Sequence, residues 1–190
     1  ASRAGPRPCV LQIVFYEGKC FSGRALEVSG ACESFQERGF PPRVNSVRVR
    51  SGAWVCFDHG GFRGRQYVLE RGDYPDFRRW NAHGDHLGSC RPVGMVSAAL
   101  GTIEIFEGNH FSGRSLELTE DCSFLQGQDW DKNYVNAIKV YGDGAWVLYE
   151  KPSYRGRMYV VERGHFGSCH EWQAQRPNIQ SLRKGPAESY

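Results

Sequence analysis

Two short stretches hold most of the side chains able to grip a metal ion. Residues 83–86 read H-G-D-H and gather His83, Asp85 and His86; residues 168–172 read S-C-H-E-W and add Cys169, His170 and Glu171. Imidazole, thiolate and carboxylate together suit a transition metal. The spacing matches no recognised ligand pattern, however, so both stretches read as solvent-exposed loops with no metal. Seven cysteines (Cys9, Cys20, Cys32, Cys56, Cys90, Cys122, Cys169) form no C-x-x-C pair and leave an odd count. That argues against a zinc site and against a secreted disulfide framework, and reduced, mostly buried thiols are expected. Catalytic signatures are missing too: there is no G-x-S-x-G, H-E-x-x-H or P-loop, and no G-x-G-x-x-G opening a helix. No cofactor and no enzyme activity are expected.

Arginine supplies 19 of the 24 basic residues, and 25 residues are aromatic. Arg63, Arg65, Arg155 and Arg157 lie beside aromatics, as in proteins that bind single strands. Acidic residues alternate with them, and a net charge of +3 is too even to indicate nucleic acid. Guanidinium groups also stack on rings and are weakly hydrated, which suits dense packing. That second reading fits better, and no nucleic-acid partner is expected. The apolar stretches are strand-sized, such as A-W-V-C-F, far from the roughly 18 residues of a membrane span. The start of the chain lacks a long apolar core and a small-residue cleavage site, so a soluble cytosolic protein is expected.

The elements that position these residues emerge from a self-comparison. An aromatic, four residues, a second aromatic, one residue and a glycine occur at Tyr16/Phe21/Gly23, Phe57/Phe62/Gly64, Phe106/Phe111/Gly113 and Tyr149/Tyr154/Gly156. The first copy resembles the third and the second the fourth, an ABAB duplication. Period-two alternation at Ile13/Phe15, Val47/Val49, Ala53/Val55/Phe57, Ile103/Ile105, Ile138/Val140 and Ala145/Val147/Tyr149 predicts short half-buried strands. Turn signals separate them, and no run has helical period. The glycine of each copy predicts a backbone at positive φ, at a place where a Cβ would clash. The two aromatics should stack as the hairpin folds over its own sheet. The fold class is all-β: two β-sandwich domains, each of two motifs with Greek-key connections. Pro92 and Gly94 punctuate a linker in P-V-G-M-V-S-A-A-L-G. Trp54 and Trp146 stand 92 positions apart, as do Trp80 and Trp172, and paired burial in two cores is expected. Trp130 shows no counterpart and is expected to be partly exposed.

The four hairpin motifs, with V-N-S-V-R-V and E-R-G-D-Y-P-D-F beside them, resemble the βγ-crystallin superfamily over residues 10–184. The ABAB order, with S-G-A-W-V-C-F and G-D-G-A-W-V-L-Y-E, resembles its vertebrate lens γ type. R-W-N-A-H-G-D-H-L-G-S-C-R-P-V-G-M is most similar to the γN branch. The resemblance implies double Greek-key domains at 10–93 and 101–184, a linker at 94–100, and flexible extensions at 1–9 and 185–190. It also implies pseudo-twofold domain pairing through an apolar patch, a monomer or homodimer, and weak short-range contacts with other crystallins. The implied duty is structural, in the cytoplasm of lens fibre cells, with the tryptophans shedding ultraviolet excitation. The competing class is a non-lens member that binds calcium or a partner.

Calcium sites of the superfamily read N/D-N/D-x-x-S/T-S. The equivalent segments are expected at 41–46, 81–86, 132–137 and 173–178. Only isolated oxygens from Asn81, Asp85, Asn133 and Asn136 would remain there. Ser46 keeps the family's hairpin serine, whereas His86, Ala137 and Asn178 are expected in its place in the other motifs. Tyr74 resembles the family's tyrosine corner; Phe166 lacks the hydroxyl in the matching slot.

Overall fold

The computed structural model describes residues 11–94 and 101–185, and every regular element longer than four residues in it is a strand. The expected extension at 1–9, most of the linker (95–100) and the tail beyond 185 lie outside the described residues. The first half contributes β1 (Gln12–Gly18), β2 (Ser22–Val28), β3 (Ser46–Ser51), β4 (Ala53–His59), β5 (Arg63–Leu69), β6 (Gly72–Tyr74) and β7 (Ser89–Val93). The second half repeats the series as β8 (Thr102–Gly108), β9 (Ser112–Leu118), β10 (Ala137–Tyr141), β11 (Trp146–Lys151), β12 (Arg155–Val161), β13 (Gly164–Phe166) and β14 (Ser181–Lys184). The valine- and isoleucine-rich alternation drives this: their branched side chains pack on a pleated surface, and the intervening polar residues stay wet.

Sheet order identifies the Greek keys. One sheet runs β2-β1-β3-β6, and its counterpart in the second half runs β13-β10-β8-β9. Strand β6 thus leaves its own motif to pair with β3, while a one-residue bridge sends Cys32 the other way, onto Cys90 of β7. The second half does the same with β13 on β10 and Cys122 on Leu182. Each motif gives its third strand to its neighbour, so neither can close a core alone.

Two cores follow. Trp54, Trp80, Phe15, Phe35 and Leu69 fill the first; Trp146, Trp172, Ile105, Leu125 and Tyr159 fill the second. Trp130 contradicts the expectation of partial exposure: it is fully buried, with its indole N–H donating to the Tyr134 carbonyl at 3.1 Å. It does have a counterpart. Phe40 and Trp130 stand equally far past the first aromatics Tyr16 and Phe106, each follows a residue at positive φ (Gly39, Asp129) and each plugs its core; the change of residue type hid the match.

The domains join edge to edge. Strands β5 and β12 pair at Gln66 and Met158, making one six-stranded sheet, β14-β11-β12-β5-β4-β7. Its outer face carries Ala53, Val55, Phe57, Val93, Ala145 and Val160, which pack together as an apolar layer between the domains.

All four hairpins bend at one place. Register slips immediately after the first aromatic, between Tyr16 and Gly18, Phe57 and His59, Phe106 and Gly108, and Tyr149 and Lys151. These β-bulges fold the hairpin back over its sheet. The motif glycine then takes the left-handed conformation, with φ of 79° at Gly23, 89° at Gly64, 75° at Gly113 and 81° at Gly156. A Cβ at Gly64 would come within 2.8 Å of the His59 ring. The expected clash is corrected at Gly23 and Gly113, which are both exposed. A Cβ at Gly23 would meet nothing closer than 3.5 Å. One at Gly113 would press only on the half-exposed Glu107 side chain, at 3.1 Å, which can give way into solvent. In the A-type motifs the backbone angle alone calls for glycine. Gly64→Val and Gly156→Val should each destabilise the corresponding domain by more than about 1 kcal/mol. Chemical denaturation checks this, and unchanged midpoints in both variants would refute it.

Candidate functional site

The residues singled out as possible metal ligands diverge. Asp85 is turned onto Arg43, with Nε 3.5 Å from its Oδ2, and is also reached by the Asn45 amide at 3.4 Å. His86 packs edge-on against His59, ring centroids 6.5 Å apart, while His83 is exposed. In the second stretch Cys169 and Trp172 are buried, and Glu171 accepts the backbone N–H groups of Gly167 and Ser168. S-C-H-E-W is therefore a capped turn, closed by a Ser168/Glu171 capping box. Among the described residues no three His, Cys, Asp or Glu side chains stand together to hold a metal.

Each hairpin carries its aromatic pair edge to face, at 5.7 Å for Tyr16/Phe21, 5.7 Å for Phe57/Phe62, 5.4 Å for Phe106/Phe111 and 5.6 Å for Tyr149/Tyr154. Tilts of 62–74° suit the ring quadrupoles. The second aromatic of every pair is itself left-handed: φ is 61° at Phe21, 56° at Phe62, 59° at Phe111 and 58° at Tyr154. Sequence reasoning assigned positive φ only to glycines. For a residue with a Cβ that backbone costs about 1–2 kcal/mol.

A serine holds it there. The Ser46 hydroxyl accepts from the Phe21 N–H at 2.9 Å and donates to the Gly18 carbonyl at 2.6 Å. Ser89 does this for Phe62 and His59 (3.1 and 2.6 Å), and Ser181 for Tyr154 and Lys151 (3.0 and 2.6 Å). All three serines are completely buried. The clamp is thus present in the second and fourth motifs, and the assignment of those slots to His86 and Asn178 is corrected. The B-type motifs run 32 residues from first aromatic to serine, against 30 from Tyr16 to Ser46, so the slot lies further along the chain. Only Ala137, paired with Phe106 as Ser46 is with Tyr16, lacks the hydroxyl.

The same shift moves the calcium-equivalent segments. The pairs Arg43/His86 and Tyr134/Asn178 bridge across each domain, so 41–46 and 132–137 match 84–89 and 176–181 rather than 81–86 and 173–178. Oxygens in these loops are already engaged. The Asn45 and Asn136 amides donate to the Glu17 and Glu107 carbonyls at 2.8 and 2.7 Å. Lys132 sits on Glu107 at 3.1 Å and on Asp131 at 2.8 Å, as Arg43 does on Asp85. Cationic side chains of the protein occupy the carboxylates a metal would need.

Tyr74 bonds back four residues: its hydroxyl accepts from the Glu70 N–H and donates to the Glu70 carbonyl, both at 2.9 Å. Phe166 has no hydroxyl to offer in the twin position, where the Glu171 carboxylate fixes the adjoining turn instead. Trp54 and Trp146 are fully buried, and Trp80 and Trp172 are 2% and 3% exposed. Of the arginines near aromatics, Arg63 and Arg155 are exposed, and Arg157 lies 5.7 Å above Tyr159. Tyr67 and Tyr159 point into the cores, so neither ring is free to stack on a base.

What the sequence left unflagged is the set of polar contacts between the domains. Arg91 reaches Glu162 at 2.5 Å, and Arg183 reaches Glu70 at 3.0 Å. These pairs are pseudo-twofold images, since Arg91 and Arg183, like Glu70 and Glu162, stand 92 positions apart. Each arginine also lies about 6 Å over the first aromatic of its own motif, Phe57 or Tyr149. Between them the buried Gln66 amide oxygen accepts the Val160 N–H at 2.9 Å. The 92-residue offset was the signal that could have found them.

Comparison with known proteins agrees with the duplication. The Beta/Gamma crystallin family model matches residues 12–93 and 102–184. Gamma-crystallin N of Rattus norvegicus is 64% identical over 91% of this chain and 94% of its own, and that of Xenopus tropicalis 62% over the same shares. A solved beta gamma crystallin from Ciona intestinalis is 34% identical, covering 43% of this chain and 98% of that one, with a TM-score of 0.42.

Two expectations follow. Ser89→Ala or Ser181→Ala should cost about 1–3 kcal/mol in denaturation, because a buried N–H and a carbonyl lose their partner, whereas Ala137→Ser should stabilise the third hairpin. Burial raises the pKa of Tyr67, with Asp58 adding to the shift, and burial likewise raises Tyr74 and Tyr159. A folded pKa above the unfolded one gives stability that is whole below about pH 10 and lost as pH rises past it. Denaturation midpoints should fall above about pH 10, less steeply in Tyr67→Phe.

Proposed function

The chain belongs to the beta/gamma crystallin family, and on that premise we propose that it is a structural constituent of the eye lens. Its task is physical: to remain folded, soluble and closely packed at high concentration in the fibre-cell cytoplasm, contributing transparency and refractive index. The observation that carries this reading is that carboxylates beside the calcium-equivalent loops pair with the protein's own cations, Arg43 with Asp85 and Lys132 with Glu107. Buried cores, clamped hairpins and paired domains favour slow unfolding over a long life. Guanidinium and aromatic groups are the most polarisable side chains, and the chain places them in contact, with Arg48 lying 3.9 Å over the Phe21 ring. The pseudo-twofold surface is filled within one chain, which supports a monomer that meets other crystallins through weak short-range contacts.

Calorimetry with calcium tests the reading: no micromolar binding and no large rise in melting temperature are expected. Tight binding would overturn it in favour of a calcium module. The refractive increment should exceed that of an ordinary globular protein of the same mass.

A further inference from the structure

All six described cysteines are free thiols, and three of them meet in the first core. Cys32 and Cys90 exchange both backbone hydrogen bonds, N–H to carbonyl at 2.8 and 3.0 Å. Cys90 is also the register partner of Cys56 across β4 and β7. In a strand the N–H and C=O of one residue point to the same side. Because Cys90 spends both on Cys32, it faces Cys56 as a non-hydrogen-bonded pair. Such pairs are the narrow ones of an antiparallel ladder, with Cα atoms about 4.5 Å apart and side chains on one face. Disulfides span Cα separations of roughly 4.4–6.8 Å with Cβ atoms close together, so the narrow pair fits. The wider Cys32/Cys90 pair brings its Cβ atoms less near.

The duplication supplies an internal control. The twin of Cys56 is Leu148 and the twin of Cys90 is Leu182, both fully buried in the second core and paired with each other on β11 and β14. Cys32 is matched by Cys122, which bridges to Leu182 as Cys32 does to Cys90. An apolar side chain therefore satisfies packing at these two slots. The first domain instead places a thiol at both members of one cross-strand pair.

We propose that Cys56 and Cys90 form a dithiol redox site that closes to a cross-strand disulfide when a small-molecule disulfide such as glutathione disulfide oxidises it. The Cys90 thiolate attacks one sulfur of the oxidant, forming a mixed disulfide and expelling one small thiolate. The Cys56 thiolate then attacks the Cys90 sulfur and expels the second. Two protein thiols lose two hydrogens, the oxidant becomes two small thiols, and the two cysteine protons leave with them. Burial sets the gate. Both thiols are fully covered, and burial raises the pKa of each, so in the closed sheet they stay protonated and inert. Access comes by local opening of β7, an edge strand whose outer side is held, among the described residues, by the one-residue bridge to Cys32 and the adjoining Phe35 N–H to Gly88 carbonyl hydrogen bond. Once formed, the bond ties β7 to β4 and locks the strand that leads out of the first domain.

The test is to incubate the full chain in glutathione buffers of increasing oxidised fraction, without denaturant, then alkylate free thiols and map peptides by mass spectrometry. The expected product lacks two hydrogens, links Cys56 to Cys90, reverts with reductant, and shifts the denaturation midpoint of the first domain upward while leaving the second unmoved. Cys56→Leu and Cys90→Leu, which borrow the packing of the twin domain, should each abolish the link, and Cys32→Ser should retain it. A Cys32–Cys90 link in the unmodified chain, loss of the link in Cys32→Ser, or glutathione adducts with no internal bond would each overturn the assignment.

Discussion

The backbone of Phe21, Phe62, Phe111 and Tyr154 lies in a region that L-residues avoid, and the rest of the structure is arranged around keeping it there. Only a left-handed residue lets the hairpin turn back sharply enough to lay its second ring against the first. The strain, about 1–2 kcal/mol at each aromatic, is offset by ring contact, by a motif glycine that takes its own left-handed angle without penalty and, in three of four motifs, by a buried serine hydroxyl. The folded hairpin caps the sandwich and frees its third strand to cross to the neighbouring sheet. Without it the exchange of β6 and β13 between motifs would have no geometry to follow.

A second order of structure depends on the first. Because each domain is closed by exchanged strands, β5 and β12 are left as edges with their outer faces apolar, and the two edges cover each other. Pairing removes two exposed strand edges, the feature most prone to indiscriminate association in a concentrated solution. The symmetric ion pairs Arg91–Glu162 and Arg183–Glu70 are partly exposed, so they contribute modestly to stability and more to register. The apolar layer beneath them supplies most of the adhesion.

The near-repeat also shows how a duplicated fold diverges. Equivalent slots hold Tyr74 and Phe166, Tyr149 and Phe57, Ala137 and Ser46, or Leu148 and Cys56, and the backbone path survives every exchange. Burial is conserved more strictly than side-chain size or hydrogen-bonding capacity, as expected where the main-chain ladder carries the topology.

Residue types and local spacing by themselves determined the four hairpins, the ABAB doubling, the two paired tryptophans of each core and the all-β class, because aromatics, glycines and period-two alternation act within a dozen residues. Tertiary structure alone decided the rest. The room around each motif glycine was such a case: Gly64 faces a ring, while Gly23 and Gly113 face solvent, although all three share one backbone angle. Ser89 and Ser181 were hidden because the serine meets its hairpin only after a connection of variable length, so the slots expected from the resemblance, His86 and Asn178, fell three residues early. Trp130 looked solitary because the twin slot holds a phenylalanine, Phe40, and only the packed cores show the two rings doing the same job. The ion pairs between domains and the three thiols on adjacent strands join residues distant in the chain. Sequence order records such neighbours only through sheet register, and register is set when hydrophobic faces and hydrogen-bond ladders are satisfied together in three dimensions.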